Sequence, residues 1–340
     1  MSLKIKCFFS LVCFLFCTCI LLASFTYKVQ SIPTGYMRIS FNDGIICLVR
    51  SKPASVLVFD QSGQFLSEIT FNLSYPVSAV HVAGMIYVSD YYRSSVMVYT
   101  IFGAFLKRIE VGKYPTMVKV FRENVYVVCS GDSTVYRINI WKNVVEEKLT
   151  FDSPTLYFEP FQDEVVYLYY YDTGKTLEIR QGLRRKVVNL QNLKNPVKYY
   201  RGDEGEYLLG YTDGILVKLN EGKEVWRVNL PDFARDFVVL NDSLVVTSLF
   251  EPVLSFVSTR DGKLIKQIKL PNPTHKILSV ADKLVTLNHL PGEVYIVDPT
   301  TGNFETIKVG EYAIEMVKIN DQTFVVLCCD SGELFFFVKS

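Results

Sequence analysis

Residues 76–115 read PVSAVHVAGMIYVSDYYRSSVMVYTIFGAFLKRIEVGKYP, and residues 115–154 read PTMVKVFRENVYVVCSGDSTVYRINIWKNVVEEKLTFDSP. The two stretches are variants of one phrase, in which short apolar runs are separated by turn residues and a proline marks the start. A period of about 40 residues is typical of propeller and solenoid arrays. This pair therefore predicts a repeat architecture.

The same phrase recurs along the rest of the chain. Apolar residues alternate or run together in stretches such as MIYVSD, NVYVVCS and VYIVD, and Gly, Pro, Asp and Asn lie between these stretches. This is the pattern of strands and turns, and turns such as Asp261-Gly262 suit hairpins between antiparallel strands. Eight units fill the chain, and they begin near Tyr36, Val77, Thr116, Thr155, Val197, Ala234, His275 and Ile314.

The repeat predicts an all-β fold, a β-propeller of eight four-stranded blades, with seven blades as the alternative. Blades arranged radially leave only short strand edges exposed. The last unit, IEMVKINDQTFVVLCCDSGELFFFVKS, supplies three strands and lacks a fourth. Residues 26–32 resemble the outer-strand phrase of other units. We therefore expect residues 25–340 to form a single domain in which this N-terminal strand completes the last blade.

Two phrases resemble known repeat families. IYVSDYYRSSVMVY followed by LKRIEVGKYP is similar to the YVTN and NHL β-propeller repeats. GILVKLNEGKEVWRVNLP, at residues 214–231, resembles the repeat of quinoprotein-type propellers, which include eight-bladed outer-membrane assembly lipoproteins. The matching residues are those that form strands, turns and contacts between blades, so the resemblance implies the fold and leaves the function open.

The N-terminal segment is strongly hydrophobic. Lys4 and Lys6 precede CFFSLVCFLFCTCILLASF, and no further charge occurs until Lys28. A run of about 19 apolar residues is long for a signal peptide and near the lower limit for a membrane-spanning helix. Residues 1–24 are therefore predicted to form a hydrophobic helix, either a signal peptide or a membrane anchor. Either outcome exports the propeller to the periplasm or the cell surface.

Composition and motifs argue against several function classes. The net charge of +1 gives no electrostatic reason to expect nucleic acid as a partner. The three histidines, His81, His275 and His289, occur in no metal-binding spacing, and the chain has no GxSxG, SxxK, P-loop or GxGxxG motif. We expect no catalysis, metal or cofactor. The alternative, suggested by fold analogy alone, is a calcium-dependent lactonase-like or quinoprotein-like propeller enzyme.

Candidate site residues fall in two places. The innermost strands are expected to line the central channel with cations rather than acids, which disfavours a bound dication; the candidates are Arg38, His81, Lys119 and Lys318. The blade connections and the second-to-third-strand turns should emerge on one face, and loops on a rigid scaffold often carry function. That face is predicted to hold aromatic and arginine residues, the types that dominate binding hot spots: Tyr91, Tyr92, Arg93, Tyr114, Tyr170, Tyr171, Phe250 and His289.

These observations predict an exported, non-enzymatic binding scaffold of the cell envelope. A protein or glycan partner is expected on the loop face, and the membrane is a further partner if the N-terminal segment is not cleaved. Four cysteines follow that segment and lie in strand-like runs, Cys47, Cys129, Cys328 and Cys329. We expect these cysteines to be buried free thiols, with the adjacent pair facing opposite sides of its strand.

Overall fold

The computed structural model describes residues 25–155, 157–161, 164–169 and 174–340. These residues form eight separate sheets, each with four antiparallel strands. The predicted N-terminal helix lies outside the described residues. In the part of the chain that is described, no helix has the length and hydrophobicity required to cross a membrane.

Blades 1 to 4 each use four consecutive strands in the order of the sequence. Blade 1 contains β2 (Arg38–Asn42), β3 (Ile45–Arg50), β4 (Ser55–Asp60) and β5 (Phe65–Ile69). Blade 2 contains β6 (Pro76–Val82), β7 (Met85–Asp90), β8 (Ser95–Thr100) and β9 (Phe105–Glu110). Blade 3 contains β10 (Pro115–Phe121), β11 (Asn124–Cys129), β12 (Thr134–Asn139) and β13 (Val144–Thr150). Blade 4 contains β14 (Tyr157–Phe161), β15 (Glu164–Leu168), β16 (Leu177–Gln181) and β17 (Arg184–Val188).

Blades 5 to 7 repeat this order, and blade 8 takes one strand from the other end of the chain. Blade 5 contains β18 (Pro196–Gly202), β19 (Gly205–Gly210), β20 (Ile215–Asn220) and β21 (Lys223–Asn229). Blade 6 contains β22 (Ala234–Leu240), β23 (Ser243–Ser248), β24 (Val253–Ser258) and β25 (Leu264–Lys269). Blade 7 contains β26 (Lys276–Val280), β27 (Lys283–Asn288), β28 (Glu293–Val297) and β29 (Phe304–Lys308). Blade 8 contains β30 (Ala313–Asn320), β31 (Thr323–Cys328), β32 (Glu333–Lys339) and β1 (Phe25–Ser31).

The blades close into a ring. The first strand of every blade contacts the first strand of the next, and β30 of blade 8 contacts β2 of blade 1. The first strands therefore surround a central channel, and the predicted eight-bladed propeller is confirmed over the seven-bladed alternative.

Antiparallel pairing separates the turns onto two faces of the ring. We call one the loop face; it carries the connections between blades and the turns between second and third strands. The turns between first and second strands and between third and fourth strands lie on the opposite face, which we call the hairpin face. The described residues of the second-to-third-strand turns of the loop face are 51–54, 91–94, 130–133, 169, 174–176, 211–214, 249–252, 289–292 and 329–332.

The seam of the ring is the pairing of β1 with β32. The register runs from Phe25 opposite Lys339 to Ser31 opposite Glu333. The Phe25 side chain is only 2 % exposed, and its ring lies 5.4 Å from that of Phe324 in an edge-on contact. The predicted closing strand is confirmed, and it begins and ends one residue earlier than the sequence indicated.

Apolar side chains fill the spaces between neighbouring blades. Alternate residues of a strand point to opposite sides of its sheet, so each blade contributes to two clusters, one with each neighbour. The described residues include four cysteines, Cys47, Cys129, Cys328 and Cys329, and all four are free and buried. Cys328 joins the cluster between blades 7 and 8, whereas the sulfur of Cys329 lies 3.0 Å from that of Met37 beside blade 1. The adjacent pair therefore faces opposite sides, as predicted.

The seam gives a direct test of the fold. Phe25→Ala removes a buried ring from the contact that closes blade 8, and we expect it to lower the free energy of unfolding by about 3–5 kcal/mol. Val29→Ala, an exposed position of the same strand, is the matched control and should cost less than about 1 kcal/mol. Urea unfolding followed by circular dichroism measures both. Equal small effects would show that β1 does not close the ring.

Candidate functional site

A chain of alternating charges lines the channel from blade 5 to blade 1. The Lys198 ammonium donates to a carboxylate oxygen of Asp236 at 2.5 Å. The Lys276 ammonium lies 2.5 Å from the carboxylate of Glu315, and a guanidinium nitrogen of Arg38 lies 3.8 Å from the other oxygen of Glu315. Each residue comes from the first strand of a different blade, so the chain of charges links five consecutive blades.

Of the two acids in this row of charges, Asp236 is the more enclosed. Its side chain is 13 % exposed, and its second oxygen accepts a hydrogen bond from the Ile277 amide at 3.2 Å. Burial alone would raise the pKa of Asp236. The nearby ammonium groups of Lys198 and Lys276, together with the Ile277 amide, outweigh burial and hold that pKa below its usual value. Asp236 is therefore ionised at neutral pH.

A second ion pair joins blades 3 and 4. The Lys119 ammonium lies 2.6 Å from the carboxylate of Glu159 and 4.3 Å from the centre of the Tyr157 ring. The Tyr157 hydroxyl donates to the same Glu159 oxygen at 2.6 Å. Burial, reinforced by this carboxylate, raises the pKa of Tyr157 well above its usual value, so the hydroxyl remains a donor.

The predicted channel residues have different surroundings. Arg38 and Lys119 belong to the ion pairs just described, and Lys318 pairs with Asp321 at 2.6 Å near the hairpin face. His81 is buried against blade 1, where its Nε2 accepts a hydrogen bond from the Gly84 amide at 3.1 Å and its Nδ1 lies 3.3 Å from the Asn42 carbonyl. His81 is therefore held between blades by backbone groups.

The expectation that the inner strands offer cations rather than acids is wrong. Glu159, Asp236 and Glu315 lie on first strands, and each pairs with a lysine from the preceding blade. The signal was present in the sequence, because Glu159 follows Lys119 by 40 residues and Asp236 follows Lys198 by 38. Opposite charges one repeat apart indicate contacts between equivalent strands. Among the described residues, no three His, Cys, Asp or Glu side chains cluster in a way that could hold a metal ion.

A concavity opens at the loop-face end of the channel, and we call it the mouth cavity. Its volume is about 380 Å³. It spans blades 5 to 8, and its lining residues are Val197, Tyr211, Arg235, Leu249, His275, His289, Tyr312 and Ile314. Aromatic and aliphatic side chains form most of this wall, and Arg235 supplies a guanidinium, 5.6 Å from the ring of Tyr211.

The two histidines of the mouth cavity are in contact. The rings of His275 and His289 meet edge-on at 5.0 Å, and His289 lies 5.8 Å from the ring of Tyr312. Burial lowers the pKa of His275 to about 4 and also lowers that of His289. Neutral His275 donates from Nε2 to the Ile314 carbonyl at 3.1 Å, and its Nδ1 has no hydrogen-bond partner among the described residues. At neutral pH this part of the wall is therefore uncharged.

A second aromatic feature lies over blades 2 and 3. We call it the tyrosine cluster: Tyr75, Tyr91, Tyr92 and Tyr114. The rings of Tyr91 and Tyr114 are stacked, with centres 4.6 Å apart, and Tyr92 lies 5.0 Å from Tyr75. Tyr92 is 62 % exposed, so the cluster presents ring surface to solvent.

Arg93 has a structural role beside this cluster. Its guanidinium donates to the Asn72 carbonyl at 2.7 Å and lies 3.9 Å from the buried carboxylate of Asp90. These contacts tie the turn of blade 2 to the connection that precedes it.

The predicted loop-face residues therefore divide into two groups. Tyr91, Tyr92 and Tyr114 come together in the tyrosine cluster. His289 lies in the mouth cavity, and Phe250, which is 62 % exposed, lies near it, with its ring 4.9 Å from that of Phe233. Tyr170 and Tyr171 lie outside the described residues. Sequence reasoning missed Tyr75, Arg235, His275 and Tyr312, which precede or begin first strands and carry no motif.

Comparison with known proteins supports the fold. No protein-family model and no curated protein matches the sequence. Among solved structures, the computationally designed Ika8 protein is 12% identical, with a TM-score of 0.75 over 91% of this chain and 98% of its own. BamB from Moraxella catarrhalis is 10% identical, with a TM-score of 0.71 over 92% of this chain and 98% of its own. The WD40 β-propeller domain of Doa1 is 10% identical, with a TM-score of 0.54 over 93% and 98% of the two chains.

These likenesses confirm that the chain is a β-propeller, similar in fold to both BamB and a WD40 domain. At such low identity they establish the fold alone. The finer resemblance to YVTN and NHL repeats stays a prediction.

The ion pair between Lys198 and Asp236 predicts how the stability of the protein responds to mutation and to pH. Asp236→Asn leaves the partly buried Lys198 ammonium without its carboxylate, and we expect a loss of about 2–3 kcal/mol in the free energy of unfolding at neutral pH. Because the pKa of Asp236 is lowered by folding, its stabilisation is present above the unfolded pKa of about 4 and is lost at more acidic pH. The difference between wild type and variant should therefore shrink below that pH.

The control is Asp321→Asn, which breaks an exposed ion pair with Lys318; it should have little effect at any pH. Urea titrations at several pH values measure both variants. Equal effects of Asp236→Asn and Asp321→Asn at neutral pH would contradict this assignment.

The histidines of the mouth cavity predict sensitivity to acid. The unfolded chain binds a proton at His275 near pH 6.5, whereas the folded protein binds it only near pH 4. Stability should therefore fall as the pH drops through this interval. His275→Gln keeps a donor for the Ile314 carbonyl and does not titrate, so its unfolding free energy should fall less steeply. Urea unfolding across the interval measures the two slopes, and equal slopes would contradict the assignment.

Proposed function

We propose that this protein is an exported, non-enzymatic binding scaffold of the cell envelope, and that its loop face binds a protein partner. The observation that carries the proposal is the concentration of accessible aromatic side chains on that face. Tyr92 and Phe250 are both 62 % exposed, and the mouth cavity lies close to Phe250. Exposed aromatic side chains beside an arginine are the composition of protein-binding hot spots.

The electrostatics of the mouth favour a carboxylate on the partner. The loop-face halves of the first strands of blades 5 to 8 and of blade 1 carry four cations and two carboxylates, an excess of two positive charges; they are Arg38, Lys198, Arg235, Lys276, Asp236 and Glu315. The acids are already paired with lysines, whereas Arg235 lies at the mouth cavity. An apolar side chain next to an Asp, Glu or C-terminal carboxylate would fill the cavity and pair with Arg235.

The channel chemistry favours a scaffold over a calcium-dependent enzyme. A calcium site needs several oxygen ligands that converge on the ion. Here Glu159, Asp236 and Glu315 each have a lysine ammonium within 2.6 Å, so a dication would have to displace a bound cation at each acid. Export is supported by the apolar run that follows Lys4 and Lys6.

The loop face is tested by quantitative capture from envelope extract. Wild-type protein should retain one or more envelope proteins that Arg235→Glu and Tyr92→Ser/Phe250→Ser lose at least about tenfold, the effect expected for hot-spot residues. Leu264→Ser changes an exposed side chain on the fourth strand of blade 6 and is the control; it should capture the same proteins as wild type. Retention by the loop-face variants would contradict the proposal. So would turnover of lactones or quinone substrates that Asp236→Asn abolishes without loss of fold.

A further inference from the structure

Three consecutive blades each expose a large apolar side chain on the hairpin face. We call these side chains the apolar tips: Phe102, Trp141 and Leu183, with exposures of 72 %, 64 % and 101 %. They lie in the third-to-fourth-strand turns of blades 2, 3 and 4. The corresponding turns of blades 1, 5, 6 and 7 carry polar residues at their tips, Ser62, Glu221, Arg260 and Thr300. The turn geometry therefore does not require apolar tips. In blades 1, 6 and 7 the exposed apolar side chains lie instead on the fourth strand that follows the turn, at Phe65, Leu264 and Phe304.

Charge divides the hairpin face in the same way. Beside the apolar tips, the described turns of blades 2 to 4 carry the cations Arg122 and Lys142 and the acid Glu123. The strands that begin on this face of blade 4 add Glu164 and Arg184. The turns of blades 5 to 8 on this face carry two cations, Arg260 and Lys263, against eight carboxylates: Asp203, Glu204, Glu221, Asp242, Asp261, Asp282, Asp298 and Asp321. The sector of the apolar tips is therefore also the cationic sector.

The N-terminal segment joins the ring on this same face. A fourth strand runs from the hairpin face to the loop face, and β1 takes the fourth position in blade 8. Its first residue, Phe25, pairs with Lys339 at the hairpin-face end of β32. The apolar run of residues 7–24 therefore connects to the hairpin face, on the opposite side of the ring from the mouth cavity.

We propose that the hairpin face rests on a lipid bilayer, with the apolar tips inserted among the headgroups and the neighbouring cations facing anionic lipids. Tryptophan and phenylalanine favour the membrane interface, and cations near an anionic surface add attraction. Three separate convex tips suit a fluid surface, since no pocket has to match them. The carboxylates of blades 5 to 8 face away from anionic headgroups, which tilts the ring onto blades 2 to 4.

This inference extends the proposed function, because it directs the loop face away from the membrane toward a partner. The two are separable. Arg235→Glu lowers capture at the loop face and leaves the membrane contact intact, whereas variants at the apolar tips do the reverse.

The test measures the intrinsic fluorescence of Trp141, which is one of the apolar tips. The chain has two tryptophans, and Trp226, in β21 of blade 5, is half-buried with its indole N–H donating to the Thr259 carbonyl at 3.3 Å. In full-length Trp226→Phe protein reconstituted into phosphatidylcholine–phosphatidylglycerol vesicles, Trp141 is then the sole emitter. Bromine-labelled phospholipids should quench its emission and vesicles should shift that emission to the blue. The quenching should weaken when phosphatidylglycerol is omitted.

Two controls move the probe within a chain that lacks Trp141 and Trp226. Thr300→Trp places it on the equivalent turn of blade 7, and Tyr92→Trp places it on the loop face; both should escape quenching. The proposal would be overturned if lipid quenched Trp141 no more than it quenches the tryptophan placed at position 92. So would protection of Trp141 by an added envelope protein in place of lipid, because the tips would then be a protein interface.

Discussion

The pairing of β1 with β32 is the contact on which the rest of the molecule depends. It joins the two ends of the described chain, and without it blade 8 would lack its outer strand. The ion pair between Glu315 and Arg38 crosses from blade 8 to blade 1, so the channel charges also require a closed ring. Closure further fixes which turns share a face, and both proposed contacts rest on that separation.

The interior of the ring uses two kinds of packing. Between blades, apolar side chains from neighbouring sheets form the core. Because successive side chains of a strand point to opposite sides of the sheet, each one packs against only one of the two neighbouring blades. Around the channel, lysine–carboxylate pairs link the first strands of blades 3 and 4, of blades 5 and 6, and of blades 7 and 8. Such pairs are costly to break singly. They hold the blades in register and leave the mouth cavity free to present Arg235 and aromatic rings.

Most of the fold was predictable from the sequence, because strand period, turn residues and the repeated phrase all point to one architecture. The three-stranded last unit even indicated the closing strand. The site was less predictable. Tyr91, Tyr92 and Tyr114 were placed on the correct face by topology, but the channel acids were missed because their partners lie one whole repeat away. His81 was assigned to the channel by strand position, yet backbone groups of blade 1 and its own turn hold it. The mouth histidines depend on contacts between blades 7 and 8 that no local pattern records.

Hydrogen exchange of β1 tests the central claim most directly. In a closed ring, the amides of β1 that bond to β32 open only when blade 8 unfolds, so they should exchange as slowly as those of the buried strand β31. Exchange of β1 within seconds, while β31 remains protected, would show that the strand is not part of the blade. That result would contradict the closed ring and with it the assignment of the two faces.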